Sequence, residues 1–236
     1  MKVDPPHFDQ IPGPPARRGL VREVLGLVEP IRLAARLPSL ADHPRGENRP
    51  LLVLPGFGAS DQSTWILRRY LTWLGYAVEG WGLGRNTGRV PQLIPRIVER
   101  LEQLSQQHED RVGLVGWSLG GYLAREAARE RPDLVTRVVT LGSPVVGGPK
   151  YTLASRHYQR HGFDLDEIEA SVAARDQLPL ETPVTAIFSK RDGVVSWQAC
   201  IDRINASTEH VEVNTTHVGL GMSPDVFAII ADRLGR

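Results

Sequence analysis

LVGWSLGGYLA, residues 114–124, is the stretch on which the fold turns. An apolar run stops at Gly116-Trp117-Ser118-Leu119-Gly120, and helix-forming residues begin at once. One reading is an ordinary strand-to-helix turn that uses glycine. The other is a turn built to hold one serine exposed in a strained backbone. The segments on either side decide which reading the chain supports.

Working outward, short apolar runs alternate with longer stretches of helical spacing. LLVLP at 51–55, YAVEGW at 76–81, RVGLVGW at 111–117, VTRVVTLG at 135–142, VTAIFS at 184–189 and HVEVN at 210–214 read as strands. Residues 64–74, 91–108, 119–130 and 224–234 read as helices, the third stopped by Pro132. This alternation predicts an α/β fold with a mostly parallel sheet of about six or more strands and helices on both faces. Residues 50–236 form that domain. The interval 145–182 is too long for a simple loop and carries the helical pattern LDEIEASVAARDQL, so it is expected to form a small cap insertion.

Residues 1–49 are an N-terminal extension. Its first 15 residues are rich in proline and polar groups and are expected to be irregular. From Ala16 to Leu37, Leu20, Val24, Leu27, Val28 and Ile31 fall at helical spacings between arginines, with a break or kink expected at Pro30. Packing of this apolar stripe against the domain is the commoner outcome for such a helix. A weak contact with a membrane surface is the alternative. Residues 38–49 read as a polar connector.

The chain has 236 residues, 28 basic and 27 acidic side chains, and 41% hydrophobic residues. So even a charge balance argues against a nucleic-acid partner. Cys200 is the only cysteine, which rules out an intramolecular disulfide. The N-terminus lacks the apolar core of a signal peptide, and no apolar run approaches the roughly 20 residues of a membrane span. The expected location is the cytoplasm, and the sequons at Asn205 and Asn214 are chance matches on that reading.

Given a strand before it and a helix after it, Gly116-x-Ser118-x-Gly120 has the setting of a nucleophile elbow. A serine needs a base, and the base needs an orienting group. Asp192 lies in the turn after the strand at 184–189, and His217 just beyond the last strand. Parallel strands deliver their carboxyl ends to one edge, so both reach the edge that carries Ser118. Asp192 also fits a plain Asp-Gly turn. Of the remaining histidines, His7, His43, His108 and His210 are not placed at that edge, and His157 and His161 fall in the cap interval.

LLVLPGFGAS, LVGWSLGGYLAREAA, LGSP, FSKRDGVV and HVGL together resemble the α/β-hydrolase superfamily, in particular its small lipase- and esterase-like members, over roughly residues 50–235. The order Ser118, Asp192, His217 is that of the family. The resemblance implies acyl transfer through an acyl-serine, usually onto water and without a cofactor. It also implies an oxyanion hole formed by the backbone N–H groups of Leu119 and Phe57, with Gly56 allowing close approach. Here Pro55-Gly56 stands where the family often has His-Gly.

The expected activity is hydrolysis of a carboxylic ester, with lipid or acyl esters favoured. Acyl transfer to an alcohol by the same triad, haloperoxidase-type chemistry and a non-catalytic binding protein on the same scaffold are the alternatives. Trp117, Trp81 and Trp197 are expected to pack near the pocket, and Arg85 or Asn86 to line it. His157 and His161, with Asp164 and Asp166 nearby, have helical ligand spacing but no clear third ligand. They read as cap-surface residues, and no metal is expected. Oligomeric state is not encoded in any of these patterns.

Overall fold

Strands that read as continuous apolar runs are those buried on both faces. In the computed structural model, which describes residues 10–16, 19–205 and 207–235, β1 (Pro50–Leu54) and β5 (Val184–Phe188) are buried at every position. With β2 (Ala77–Gly80), β3 (Val112–Trp117), β4 (Val135–Leu141) and β6 (Thr208–Glu212) they form one six-stranded, all-parallel sheet. Its order is β2-β1-β3-β4-β5-β6. The chain leaves β1 towards β2 and then returns to lay β3 on the other side of β1. That reversal opens a crevice at the carboxyl ends of β1 and β3, where parallel α/β sheets place their sites.

Successive side chains on a strand point to opposite faces, and the core divides accordingly. Leu52, Leu54 and Leu114 pack beneath α4 (Val90–His108) and α5 (Leu119–Glu130). Leu51, Val53 and Val115 pack on the other face, against α3 (Trp65–Trp73) and α9 (Pro224–Leu234). Arg125 on α5 is buried and pairs with Asp202, 2.7 Å away, which ties that helix to the connection between β5 and β6. Between β4 and β5 the chain adds α6 (Ser155–Arg160) and α7 (Leu165–Asp176). The side chain of Asp164 caps α7 by accepting from the N–H groups of Asp166 and Glu167.

The N-terminal extension departs from the sequence pattern. It forms α1 (Gly19–Glu23), a 3₁₀ turn (Val24–Val28) and α2 (Glu29–Leu40) rather than one helix kinked at Pro30. Pro30 sits in the first turn of α2, where its missing N–H costs nothing. α2 also takes in Pro38, Ser39 and Leu40 from the expected connector. The expected polarity is inverted. Leu20, Val24, Leu27, Val28 and Ile31 are between 48 and 70% exposed, whereas Glu23 and Glu29 are buried. The surface beneath this segment presents backbone N–H groups and hydroxyls, so it takes carboxylates inward and turns the apolar stripe outward. The first nine residues (His7 among them), Arg17, Arg18, Ala206 and Arg236 lie outside the described residues. No helix among the described residues is long and apolar enough to cross a membrane.

Candidate active site

Ser118 occupies the junction of β3 and α5 at φ 54° and ψ −125°, a backbone conformation that residues with a Cβ rarely adopt. Such strain costs about 1–3 kcal/mol and persists only where the surroundings enforce it. Here they do. The Ser118 N–H donates to the Leu141 carbonyl at 2.7 Å, and the Gly121 N–H to the Ser118 carbonyl at 2.9 Å. A Cβ on Gly116 would run into the backbone of Gly120, and one on Gly120 into the Leu54 carbonyl. The two glycines therefore let α5 start directly against the strands, which answers the question posed by residues 114–124.

The loop after β1 approaches the elbow closely. A Cβ on Gly56 would stand 3.2 Å from the Cβ of Ser118. Asn86 holds this loop from behind. It is fully buried, donates through Nδ2 to the Pro55 carbonyl at 2.8 Å, and its carbonyl accepts from the Gly58 N–H at 2.8 Å. Asn86 is thus a support of the loop and not part of the cavity wall, and Arg85 is exposed beside it. Phe57 lies in this loop and lines the same cavity as Ser118, while Leu119 opens α5 and so carries an N–H that the helix itself leaves unpaired.

His217 opens a short helix, α8 (His217–Leu220), capped by the side chain of Thr216. Its Nδ1 lies 2.6 Å from Oδ2 of Asp192, and both side chains are buried. The other Asp192 oxygen accepts from the N–H groups of Val194 and Val195 at 2.8 and 2.7 Å. An ionised carboxylate can only accept, so Nδ1 carries the proton and Nε2 is the basic nitrogen. The two loops are bound to each other, because the Ser189 hydroxyl donates to the Thr215 carbonyl at 2.5 Å. Trp117 adds a further constraint: its Nε1 donates to the His217 carbonyl at 3.2 Å.

Ser118, Trp117, Leu119, His217, Gly56 and Phe57 share the wall of one cavity of about 460 Å³. The cap side of that cavity is built from Leu153, Ala154 and Tyr158, and the Tyr158 hydroxyl donates to the Gly88 carbonyl at 3.2 Å. His157 is exposed on the cap surface and also borders the cavity, edge-on to Phe57 with ring centroids 5.1 Å apart. Trp81 is instead buried in the core beneath α4, and Trp197 stacks on Phe188. Among the described residues, no group of three or more His, Cys, Asp or Glu side chains could hold a metal ion. His43 and His210 have other partners, Asp232 and the Asp202 N–H respectively.

Burial of the His217 imidazole favours its neutral form, but the charge and hydrogen bond of Asp192, joined by the charge of Glu23, outweigh this. The net effect raises its pKa above the ordinary 6.5. An NMR titration of the His217 ring is therefore expected to have its midpoint above 6.5 in the wild type and a lower midpoint in Asp192→Asn.

No relative was found among curated protein sequences. Solved structures give extensive matches. A metagenome-derived lipolytic enzyme of the LipS and LipT pair superposes with a TM-score of 0.62 at 19% identity, over 81% of this chain and 93% of that one. Bacillus licheniformis lipase BlEst2 gives 0.63 at 16% identity over 82% and 95%. Paleococcus ferrophilus monoacylglycerol lipase gives 0.61 at 15% identity over 82% and 96%. At these identities the likeness is one of fold. The sequence profile of the alpha/beta hydrolase family matches residues 51–232. With that match spanning most of the chain, the protein belongs to the alpha/beta hydrolase family.

Proposed function

We propose that the protein is a serine hydrolase that cleaves a carboxylic ester through an acyl-serine intermediate. The observation that carries this reading is the strained Ser118 sharing a cavity wall with His217, whose Nδ1 is 2.6 Å from Asp192. His217 Nε2 takes the hydroxyl proton as Ser118 Oγ attacks the ester carbonyl carbon. Asp192 stabilises the imidazolium that results. The N–H groups of Phe57 and Leu119 hold the tetrahedral oxyanion, and each such donor is worth about 10²–10³ in rate. The imidazolium then gives its proton to the departing alcohol. Water, deprotonated by the same nitrogen, attacks the acyl-serine and releases the acid.

Phe57, Leu153, Ala154 and Tyr158 give the cavity an apolar wall that suits an acyl chain. The lipolytic enzyme and lipases that share the fold support the choice of an ester substrate. With p-nitrophenyl esters of graded acyl length, Ser118→Ala is expected to lose about 10⁴-fold or more in turnover while keeping its circular dichroism and melting temperature. Retained turnover in that variant would remove Ser118 from the chemistry. Product analysis with added alcohols separates hydrolysis from acyl transfer.

The outward apolar side chains of residues 20–31 favour a lipid-surface contact. Leu20 shares a groove with Leu153 and His157, both of which also border the catalytic cavity, and Arg156 and Arg160 lie in the same groove. An apolar row with a basic flank suits an anionic bilayer surface. The protein is expected to co-sediment with phosphatidylglycerol vesicles and to be released by Val21→Glu with Val24→Glu. Unchanged sedimentation of that double variant would refute the contact.

A further inference from the structure

The buried side chains of residues 19–31 are the carboxylates Glu23 and Glu29, and they lie on the loops that carry Asp192 and His217. Glu23, the last residue of α1, is only 7% exposed, while Val21, Val24 and Leu25 around it are 61–75% exposed. Its Oε1 accepts from the Gly193 N–H at 2.8 Å and from the His217 N–H at 3.1 Å. Its Oε2 accepts from the Val218 N–H at 2.7 Å. One carboxylate thus takes a donor from the residue next to Asp192, a donor from His217 itself and a donor from the residue after it.

We propose that Glu23 is a positioning residue that clamps the loop of Asp192 to the loop of His217, so that the N-terminal extension completes the catalytic site. The proposal rests on the reading of Ser118, Asp192 and His217 as a triad. Hydrogen bonds to a charged acceptor are shorter and about twice as strong as neutral ones, so three of them from buried N–H groups fix both loops firmly. Removing the acceptor strands those donors.

Independent support comes from the backbone on both sides of this contact. A Cβ on Gly193 would stand 2.5 Å from the Gly19 carbonyl oxygen and 2.9 Å from Glu23 Oε1. A Cβ on Gly26 would stand 2.5 Å from Thr216 Oγ1 and 2.8 Å from the Gly219 nitrogen. Glycine at Gly19, Gly26 and Gly193 is what lets the extension lie directly on the loops. A second carboxylate repeats the arrangement, since Glu29 Oε1 accepts from the Thr215 hydroxyl at 2.6 Å.

The clamp also places charge near the imidazole. Asp192 from the β5 loop and Glu23 from the extension are the charged groups that bear on His217, and both favour its protonated form. From the elbow, Trp117 and Ser118 bring no charge, nor does Leu220 from α8. Loss of the Glu23 charge therefore lowers the pH at which His217 becomes neutral and able to act as base.

The test compares wild type, Glu23→Gln, Glu23→Ala and Gly26→Ala in pH profiles of kcat/KM on a p-nitrophenyl ester, together with the His217 NMR titration. Glu23→Gln and Glu23→Ala are expected to lose about 10- to 100-fold, mainly in kcat. Their acid limb and His217 midpoint should move to lower pH. Gly26→Ala keeps the carboxylate but forces the extension off the histidine loop, and is expected to lose rate as well. If the Glu23 variants melt at lower temperature yet keep the wild-type limb and midpoint, the role is structural and the proposal fails. Wild-type rate in Gly26→Ala also overturns it. A wild type without esterase activity overturns the hydrolase reading instead; the clamp then stands or falls on whether the His217 midpoint moves in Glu23→Gln.

Discussion

Everything at the candidate site follows from how closely α5 starts against the sheet. At Gly116 and Gly120 there is no room for a side chain between β3, α5 and the Leu54 carbonyl. The chain must therefore turn within one residue, and that residue is Ser118 at φ 54°. The strain is held in place by the Leu141 carbonyl on β4, next to β3 in the sheet. A looser turn would leave the serine mobile and its approach to the Phe57 loop undefined. The energy that enforces the strain comes from two apolar cores, one on each face of the sheet.

The sheet supplies direction, and the loops supply precision. Because all six strands are parallel, the segments after β1, β3, β5 and β6 emerge at one edge. They carry the Phe57 loop, Ser118, Asp192 and His217 respectively. Hydrogen bonds outside the sheet then set their relative positions: Asn86 behind the Phe57 loop, Trp117 on the His217 carbonyl, and Ser189 between the last two loops. The extension reaches the same loops with buried carboxylates, and this explains its inverted polarity. A segment that satisfies backbone N–H groups must turn acidic side chains inward, and its leucines and valines are left facing outward.

Periodicity and turn chemistry made the six strands, α5 and α9 legible, because parallel strands and the helices that cover them write their burial directly into the apolar pattern. Ser118, Asp192 and His217 were legible through their positions after strands. Asn86 was expected on the cavity wall, but its side chain finds its acceptor behind the loop, a choice that depends on long-range packing. The extension departs from its sequence pattern for a related reason. Spacing reports which residues share a face of a helix, not what that face meets, and residues 19–31 meet polar backbone rather than the core. The signal that was available lay in Glu23 and Glu29, six positions apart and with Gly26 between them. Its meaning depended on the loops of Asp192 and His217 lying beneath.

The central claim is that Ser118 becomes covalently acylated. Rapid mixing with excess p-nitrophenyl ester, acid quenching and peptide mass mapping tests it most directly. The account predicts a stoichiometric burst of nitrophenol and an acyl adduct on the peptide that contains Ser118, both absent in Ser118→Ala. Turnover without an adduct, or an adduct on another residue, would contradict it.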